Sequence, residues 1–325
     1  MSTKQSIRNN KTIAPLFRFR DWVMRVTGLF KMKATIKREH YFARIRREDA
    51  KRKKQVAEKI YEMPSGLIDK QISNDEIIVS LTSYGHRVSE MLPYMLYSLL
   101  IQTKLPHKIA VYLDEDNWND AILSPLLKEM QRIGVDFYYC EDLKSYKKLI
   151  PALQMFPDNP ILVCDDDFYY HPKYMEWILE AYSNSDYKTV IGSWGLIPRK
   201  MDGKFLPFSK WIDCTKAKNI DESAMSFGSG NGTLFPCHVF DEEILNKEVF
   251  MSLCPTADDI WFWAMMQRQN VSRVCMQHRG YGMHGLVERV EDLDVNADTL
   301  ARVNVLQGAN DHQLRALLDY YHLEN

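Results

Sequence analysis

The sequence predicts an α/β protein whose central sheet is mostly parallel, with helices on both faces. Three observations support this prediction. From residue 76 onward, short apolar runs alternate with segments of helical periodicity, which is the pattern of a parallel sheet with crossover helices. Several of these runs end in polar or acidic clusters. The 325 residues are 46% hydrophobic and 12% aromatic, which is enough to bury a large core.

The elements follow in order along the chain. Strands are predicted at 76–83, 108–114, 135–139 and 161–164, and helices at 88–102, 121–133, 143–156 (with a break near Pro151), 260–269 and 313–321. In the first helix, Met91, Leu92, Met95 and Leu99 share one face. The sequence has neither a Gly-x-Gly-x-x-Gly turn nor a Walker A loop, which disfavours dinucleotide dehydrogenases and P-loop enzymes.

The fourth strand ends in three consecutive carboxylates, Asp165, Asp166 and Asp167. Three like charges at a partly buried strand end are costly unless a cation lies beside them. Carboxylate oxygens favour hard ions such as Mg²⁺ or Mn²⁺, which can in turn bind a diphosphate. The alternative is a solvated acidic turn, but the aromatic and His-Pro residues at 169–172 are more typical of a pocket rim.

Two other predicted strands also end in polar clusters. Thr82, Ser83 and Tyr84 follow the first strand, and Asp114 to Asp116 follow the second. In parallel sheets, ligands bind beyond the carboxyl ends of the strands. The sequence therefore predicts a ligand site at one edge of the sheet, formed by three converging clusters.

These segments together resemble the GT-A class of nucleotide-sugar glycosyltransferases. The resemblance is carried by Val79-Ser-Leu-Thr-Ser-Tyr, Ile109-Ala-Val-Tyr-Leu-Asp and Asp165-Asp-Asp, and it covers residues 76–285. It is strongest to bacterial family-2-type enzymes that build surface polysaccharides. The first strand departs from the common family-2 pattern, because it ends in Thr-Ser-Tyr where many members have Pro-Thr-Tyr-Asn.

The resemblance implies a metal-dependent transferase that moves a sugar from a nucleoside-diphosphate donor, with UDP the expected carrier, to a glycan or lipid-linked acceptor. Mn²⁺ or Mg²⁺ would be the cofactor. The implied nucleotide-sugar site contains Thr82, Ser83, Tyr84, Arg87, Asp114, Lys148, Asp165, Asp166, Gly230 and Asn231, and the implied metal ligand is Asp167. His284, in a Gly-rich loop, is a second candidate ligand and is preferred to His278. A solvated Lys148 and a structural His284 are the alternatives.

Asp258 and Asp259 begin the aromatic helix predicted at 260–269. A helix N-terminus stabilises a carboxylate as the anion, and one of the two could simply cap the helix. In inverting GT-A enzymes an acid at this place acts as general base, so the resemblance implies that role here, with Asp259 preferred to Asp258. Inversion is expected, but the sequence does not exclude retention.

The N-terminal region is strongly basic. Residues 1–59 contain 18 Lys and Arg against 5 Asp and Glu, a net +13, whereas the remainder has 24 against 38, a net −14. The sequence predicts an arm at 1–62, with an amphipathic helix at 13–33, and a catalytic domain at 76–325. Within that domain, 76–175 forms the nucleotide half, and 176–325 forms the acceptor half with a C-terminal helix. The arm is expected to bind an anionic membrane surface, the alternative being packing on its own domain or a partner.

Nucleic-acid binding is not expected, because no recognisable nucleic-acid-binding fold follows the arm. The N-terminus lacks the apolar segment of a signal peptide, and the six cysteines are scattered singly, which favours a reducing compartment. The expected location is the cytoplasm, at the inner face of the cell membrane if the arm binds lipid. Two other functions stay open: a sugar-phosphate nucleotidyltransferase and a non-catalytic binding module of the same fold.

Overall fold

The computed structural model describes residues 29–68, 76–217, 222–276, 304 and 308–324. The chain divides after Arg52 into two compact units. Helix α1 covers Leu29–Glu62. Val56 and Ile60, in the last part of this helix, are buried in the core of the second unit, so the core begins before the predicted end of the arm at residue 62. None of the helices in the described ranges has the length and apolarity needed to cross a bilayer.

A seven-stranded, mostly parallel sheet forms the centre of the second unit, as the sequence predicts. The strands are β1 (Ile78–Thr82), β2 (Lys108–Asp114), β3 (Val135–Cys140), β4 (Ile161–Asp165), β5 (Val190–Gly192), β6 (Gly195–Ile197), β7 (Lys200–Met201), β8 (Lys204–Phe205), β9 (Ile212–Asp213), β10 (Ser226–Phe227), β11 (Thr233–Phe235) and β12 (Arg273–Cys275). The order in the large sheet is β12-β5-β11-β4-β1-β2-β3, with β11 antiparallel to both of its neighbours. The remaining strands form a three-stranded sheet (β10-β6-β9) and a hairpin (β7-β8).

Helices cover both faces of the large sheet. They are α2 (Arg87–Glu90), α3 (Leu92–Leu100), α4 (Pro125–Ile133), α5 (Ile150–Met155), α6 (Tyr174–Ser183), α7 (Lys247–Leu253), α8 (Asp258–Arg268) and α9 (Ala309–Tyr321). Alternate residues of β1 enter different cores: Val79 and Leu81 pack with α3 and α4, whereas Ile78 packs with α8 and α9. This alternation is the physical basis of the three-layer arrangement, because successive side chains of a strand point to opposite faces.

The predicted helix at 143–156 is instead a 3₁₀ turn, Lys144–Lys148, followed by α5. The interruption falls at Leu149 rather than at the predicted Pro151. Proline is tolerated in the first turn of a helix, where its missing N–H would have no partner, so Pro151 lies in the first turn of α5 without breaking it. The 3₁₀ turn brings Lys148 to the carboxyl end of the sheet.

Strand register aligns the predicted clusters at one edge. Thr82, the last residue of β1, pairs with Asp165 on one side and with Tyr112 of β2 on the other. Asp114 ends β2 two residues beyond Tyr112. The polar residues that follow β1, β2 and β4 therefore emerge together, as expected for parallel strands.

Candidate active site

Two groups of acidic residues lie at this edge of the sheet. The triplet cluster consists of Ser83, Arg87, Asp165, Asp166 and Asp167. The dyad cluster consists of Lys148, Ser229, Asp258 and Asp259. The residues after β1 and the end of β4 with the two residues that follow it form the triplet cluster. The 3₁₀ turn before α5, the Gly-rich segment after β10 and the start of α8 form the dyad cluster.

In the triplet cluster, Asp166 is buried and tightly held. Its carboxylate accepts hydrogen bonds from the Ser83 hydroxyl and from the Arg87 guanidinium, each at 2.5 Å. The same guanidinium nitrogen lies 2.8 Å from a carboxylate oxygen of Asp167. Burial raises the pKa of Asp166 to about 7, with further contributions from Asp167 and Asp165, although Arg87 and Ser83 oppose the change. The predicted donor-site residues Ser83, Arg87 and Asp166 are thus in direct contact.

Lys148 connects the two clusters. Its ammonium nitrogen lies 2.9 Å from Asp258, 3.4 Å from Asp165 and 3.8 Å from Asp259. Its side chain is only 6% exposed, so the solvated position considered for it is wrong. Burial by itself lowers the pKa of Lys148, but the three carboxylates raise it well above its ordinary value. The ammonium is therefore charged at neutral pH.

Asp258 and Asp259 occupy the first turn of α8, and neither is its N-cap, which is Ala257. Asp259 accepts hydrogen bonds from the backbone N–H of Ser229, at 3.0 Å, and from the Ser229 hydroxyl. Burial raises the pKa of Asp259 to about 6, and Asp258 and Asp165 add to this, while Lys148 and Ser229 oppose it. The Asp259 side chain is 36% exposed, whereas that of Asp258 is 8% exposed. Asp259 is therefore the member of the dyad that a ligand can reach.

The Gly-rich segment packs directly against the triplet. A Cβ atom on Gly230 would lie 1.7–1.9 Å from the Asp165 carboxylate, so only glycine fits this position without a shift. The buried Tyr170 hydroxyl donates to the carbonyl of Gly230 at 2.7 Å and accepts from the backbone N–H of Asp165 at 3.2 Å. Asn231 completes the 3₁₀ turn Ser229–Asn231. The loop thus holds Asp165 on one side and Asp259 on the other.

Three predicted donor-site residues lie on the β1 and β2 side of the edge. The Thr82 hydroxyl donates to the carbonyl of Tyr112 at 2.7 Å, so this hydroxyl is bound to the neighbouring strand. Asp114 is buried and accepts from the backbone and side-chain amides of Asn117, so it shapes the loop after β2. Tyr84 is 41% exposed, and the Arg87 guanidinium lies 5.3 Å from its ring centroid. Of these three residues, Tyr84 is the one with an exposed aromatic ring.

The predicted metal site is only partly within the described residues, because His284 lies outside them. Mg²⁺ is usually held by one or two carboxylates together with substrate phosphates. Asp167 supplies such an oxygen donor, and its side chain is 10% exposed. In the described ranges, no group of three or more His, Cys, Asp or Glu side chains is placed to hold a metal. These residues therefore fit a dication held jointly with a substrate's phosphates, not one held by the described side chains alone.

Two residues of this site were not among the predicted site residues. Ser229 binds the Asp259 carboxylate, and Tyr170 links Asp165 to Gly230. The sequence signal for both was present but imprecise, because Ser229 lies within a segment at 226–233 that holds three glycines, and Tyr170 lies within the aromatic run after the triplet. Away from this site, Asp311 lies in the first turn of α9 and accepts hydrogen bonds from the backbone N–H and the hydroxyl of Ser209.

Comparison with known proteins adds limited information. No protein-family model matches the chain, and no curated protein matches its sequence. Among solved structures, similar folds include S. aureus TarS 1-349 in complex with UDP (16% identity, 57% of this chain and 55% of that chain, TM-score 0.35). The chain thus spans about half of that TarS fragment.

Two proteins named as nucleotidyltransferases also align with the chain. A cytidylyltransferase from Leptospira borgpetersenii matches at 10% identity over 76% of this chain and 94% of that chain, with a TM-score of 0.39. A putative glucose-1-phosphate thymidylyltransferase from Bacillus anthracis matches at 12% identity over 62% and 85%, with a TM-score of 0.35. These similarities are all weak and do not define a function for the chain.

Proposed function

We propose that the protein is a glycosyltransferase that moves a sugar from a nucleoside diphosphate, with UDP the expected carrier, to a hydroxyl of a glycan or lipid-linked acceptor. The observation that carries the proposal is the juxtaposition of the two clusters. The Lys148 ammonium lies within 4 Å both of Asp259, the exposed carboxylate of the dyad, and of Asp165, the first member of the triplet. Sugar transfer needs these two parts: a group that removes a proton from the acceptor and a site that stabilises a diphosphate leaving group.

Asp259 is the proposed general base. Its pKa of about 6 leaves it largely ionised at neutral pH and still basic enough to accept a proton as the acceptor oxygen attacks. The acceptor oxygen forms a bond to the anomeric carbon, the bond between that carbon and the diphosphate oxygen breaks, and the nucleoside diphosphate leaves with that electron pair. Direct displacement of this kind inverts the anomeric carbon.

The triplet cluster and the residues after β1 are the proposed donor site. Within the two clusters, five carboxylates lie beside two cationic side chains, so a diphosphate needs further positive charge to bind there. A dication on Asp167, when bound, would supply that charge and stabilise the leaving group. The exposed ring of Tyr84, beside Arg87, is suited to stacking against the nucleotide base.

A titration with nucleoside diphosphates tests the donor site. We expect UDP to bind with an affinity that rises at least tenfold when Mn²⁺ is added, measured by calorimetry, with EDTA reversing the gain. No response to any nucleoside diphosphate, with or without Mn²⁺, would instead favour a non-catalytic binding module. Release of pyrophosphate from a nucleoside triphosphate and a sugar phosphate would favour a nucleotidyltransferase.

The basic arm is the proposed membrane contact, which would locate the protein at the inner face of the cell membrane, where surface polysaccharides are begun. Exposed cations in the described part of α1 include Arg44, Arg46, Arg47 and Lys51. Each Lys or Arg near an anionic surface contributes about 1 kcal/mol of attraction. The amphipathic segment predicted at 13–33 lies mostly outside the described residues.

A further inference from the structure

Lys148 is an unusual residue in this site, because it is a buried ammonium surrounded by three acids from two distant parts of the chain. Asp165 ends β4, while Asp258 and Asp259 begin α8, in a much later part of the chain. Removing the cation from a buried ion pair leaves uncompensated charge and is strongly destabilising. The lysine therefore holds the end of β4 and the start of α8 together electrostatically.

The backbone of this residue is also fixed. The hydroxyl of Ser80, in β1, donates to the Lys148 carbonyl at 2.7 Å. This bond anchors the 3₁₀ turn to the middle of a buried strand. The position of the Lys148 backbone is therefore set by the sheet. With its side chain 6% exposed and all three carboxylates within 4 Å, Lys148 offers little surface to a bound nucleotide sugar.

We propose that Lys148 is a positioning residue that fixes Asp258 and Asp259 against Asp165 and keeps Asp259 ionised, so that Asp259 faces the acceptor as a charged base. The inference rests on the proposed function for its catalytic meaning. It differs from the donor contact that the sequence predicts for this lysine. Among the described residues, the charged groups facing Asp259 are Lys148, Asp258 and Asp165, and of these Lys148 is the cation that opposes the rise in the pKa of Asp259.

The neighbouring Lys147 provides a matched control. It belongs to the same 3₁₀ turn and is 2% exposed, but its ammonium pairs with Asp142, whose side chain is 53% exposed. Burial raises the pKa of Asp142, but the hydrogen bonds and charges of Lys147 and Lys144 together lower it by more, so its net pKa is below the ordinary value. Loss of Lys147 therefore changes no titration between pH 5 and pH 8.

The test is the melting temperature of ligand-free wild type, Lys148→Met, Lys148→Arg and Lys147→Met between pH 5 and pH 8. Without the ammonium, Asp259 binds its proton more tightly in the folded state, so the variant loses stability relative to wild type as the pH rises. The gap is the melting temperature of wild type minus that of the variant. For Lys148→Met we expect this gap to widen by about 3–6 °C from pH 5 to pH 8. The gap for Lys147→Met should stay constant, and Lys148→Arg should follow wild type.

A second variant keeps the test decisive if Lys148→Met does not fold. In Lys148→Met/Asp258→Asn one acid is removed with the lysine, so we expect recovered folding or a smaller widening than in Lys148→Met alone. The proposal is overturned if Lys148→Met and Lys147→Met give equally constant gaps, or if the double variant is no better folded than the single one.

These measurements need no donor, so they separate this inference from the proposed function. If wild type turns over no nucleotide sugar but the gap widens, the lysine still controls the acids and the glycosyltransferase proposal fails. If wild type transfers sugar and the gap is constant, only the role of Lys148 fails. In an active enzyme, the acidic limb of kcat/KM should also move to higher pH in Lys148→Met and stay in place in Lys147→Met.

Discussion

The triplet and dyad clusters place the same kind of side chain at the same sheet edge, yet they hold it differently. In the triplet, one guanidinium contacts Asp166 and Asp167 at 2.5 and 2.8 Å, and these side chains are 6% and 10% exposed. In the dyad, the ammonium is close to Asp258 but 3.8 Å from Asp259, which is 36% exposed. Tight pairing fixes acids as part of a binding surface, whereas loose pairing leaves an acid open to exchange a proton. In the proposed function, this contrast corresponds to leaving-group stabilisation by the triplet cluster and base chemistry by the dyad cluster.

The sharpest way to break this division is to remove the charge of Asp167. Asp167→Asn keeps the side-chain volume but weakens the proposed dication site, so we expect Mn²⁺-dependent UDP release to fall by about 10²–10³-fold. The melting temperature should change little, because Asp166 keeps its bonds to Ser83 and Arg87. Near-normal turnover of Asp167→Asn with Mn²⁺ would mean that the triplet takes no part in the reaction.

The dyad predicts a particular pH dependence. Asp259 must be ionised to act as base, so kcat/KM should fall below a pH of about 6, approaching tenfold per pH unit. Initial rates between pH 4.5 and pH 8, at donor concentrations well below KM, measure this limb. A rate that stays level down to pH 5 would mean that Asp259 does not take the acceptor proton.

The contact between the two clusters can be tested at Gly230. In Gly230→Ala the new Cβ meets the Asp165 carboxylate, and such overpacking costs about 1–3 kcal/mol, or roughly 3–9 °C in melting temperature. Gly203 is the control, because its φ of +81° makes alanine strained, while no atom lies within 4 Å of the added Cβ. We also expect Gly230→Ala to weaken UDP binding, measured by calorimetry, more than Gly203→Ala does. An equal effect of the two substitutions would mean that the loop does not position the triplet.

The smallest effect on chemistry is expected in the basic arm. Reversing exposed charges in Arg46→Glu/Arg47→Glu/Lys51→Glu should reduce flotation with anionic vesicles at low salt while leaving UDP release unchanged. This substitution is preferable to deleting residues 1–60, because Val56 and Ile60 belong to the core of the second unit. Equal flotation of wild type and variant would point to a protein partner instead.

The sheet and the ends of its strands could be predicted because their signals are local. Apolar runs such as 161–164 have few alternatives to a buried strand, and three acids directly after one had to emerge at its carboxyl end. The position of Asp258 and Asp259 in the first turn of a helix was predictable for the same reason.

The surroundings of Lys148 could not be predicted, because they depend on distant contacts. The Ser80 hydroxyl is 68 residues away, and the helical pattern at 143–156 gives no sign of the 3₁₀ turn that this bond accompanies. The same holds for Ser229, whose partner Asp259 is 30 residues further along. Periodicity describes which face of an element is buried, but not which side chains of two distant loops meet.

The most direct test of the central proposal is UDP release from a UDP-sugar, with Mn²⁺ and a glycan acceptor, by wild type and Asp259→Asn. We predict that wild type releases UDP and that Asp259→Asn lowers kcat by about 10²–10⁴-fold with unchanged UDP affinity, because only the proton transfer is lost. Asp259→Asn turning over at the wild-type rate would contradict the assignment of the dyad as the base.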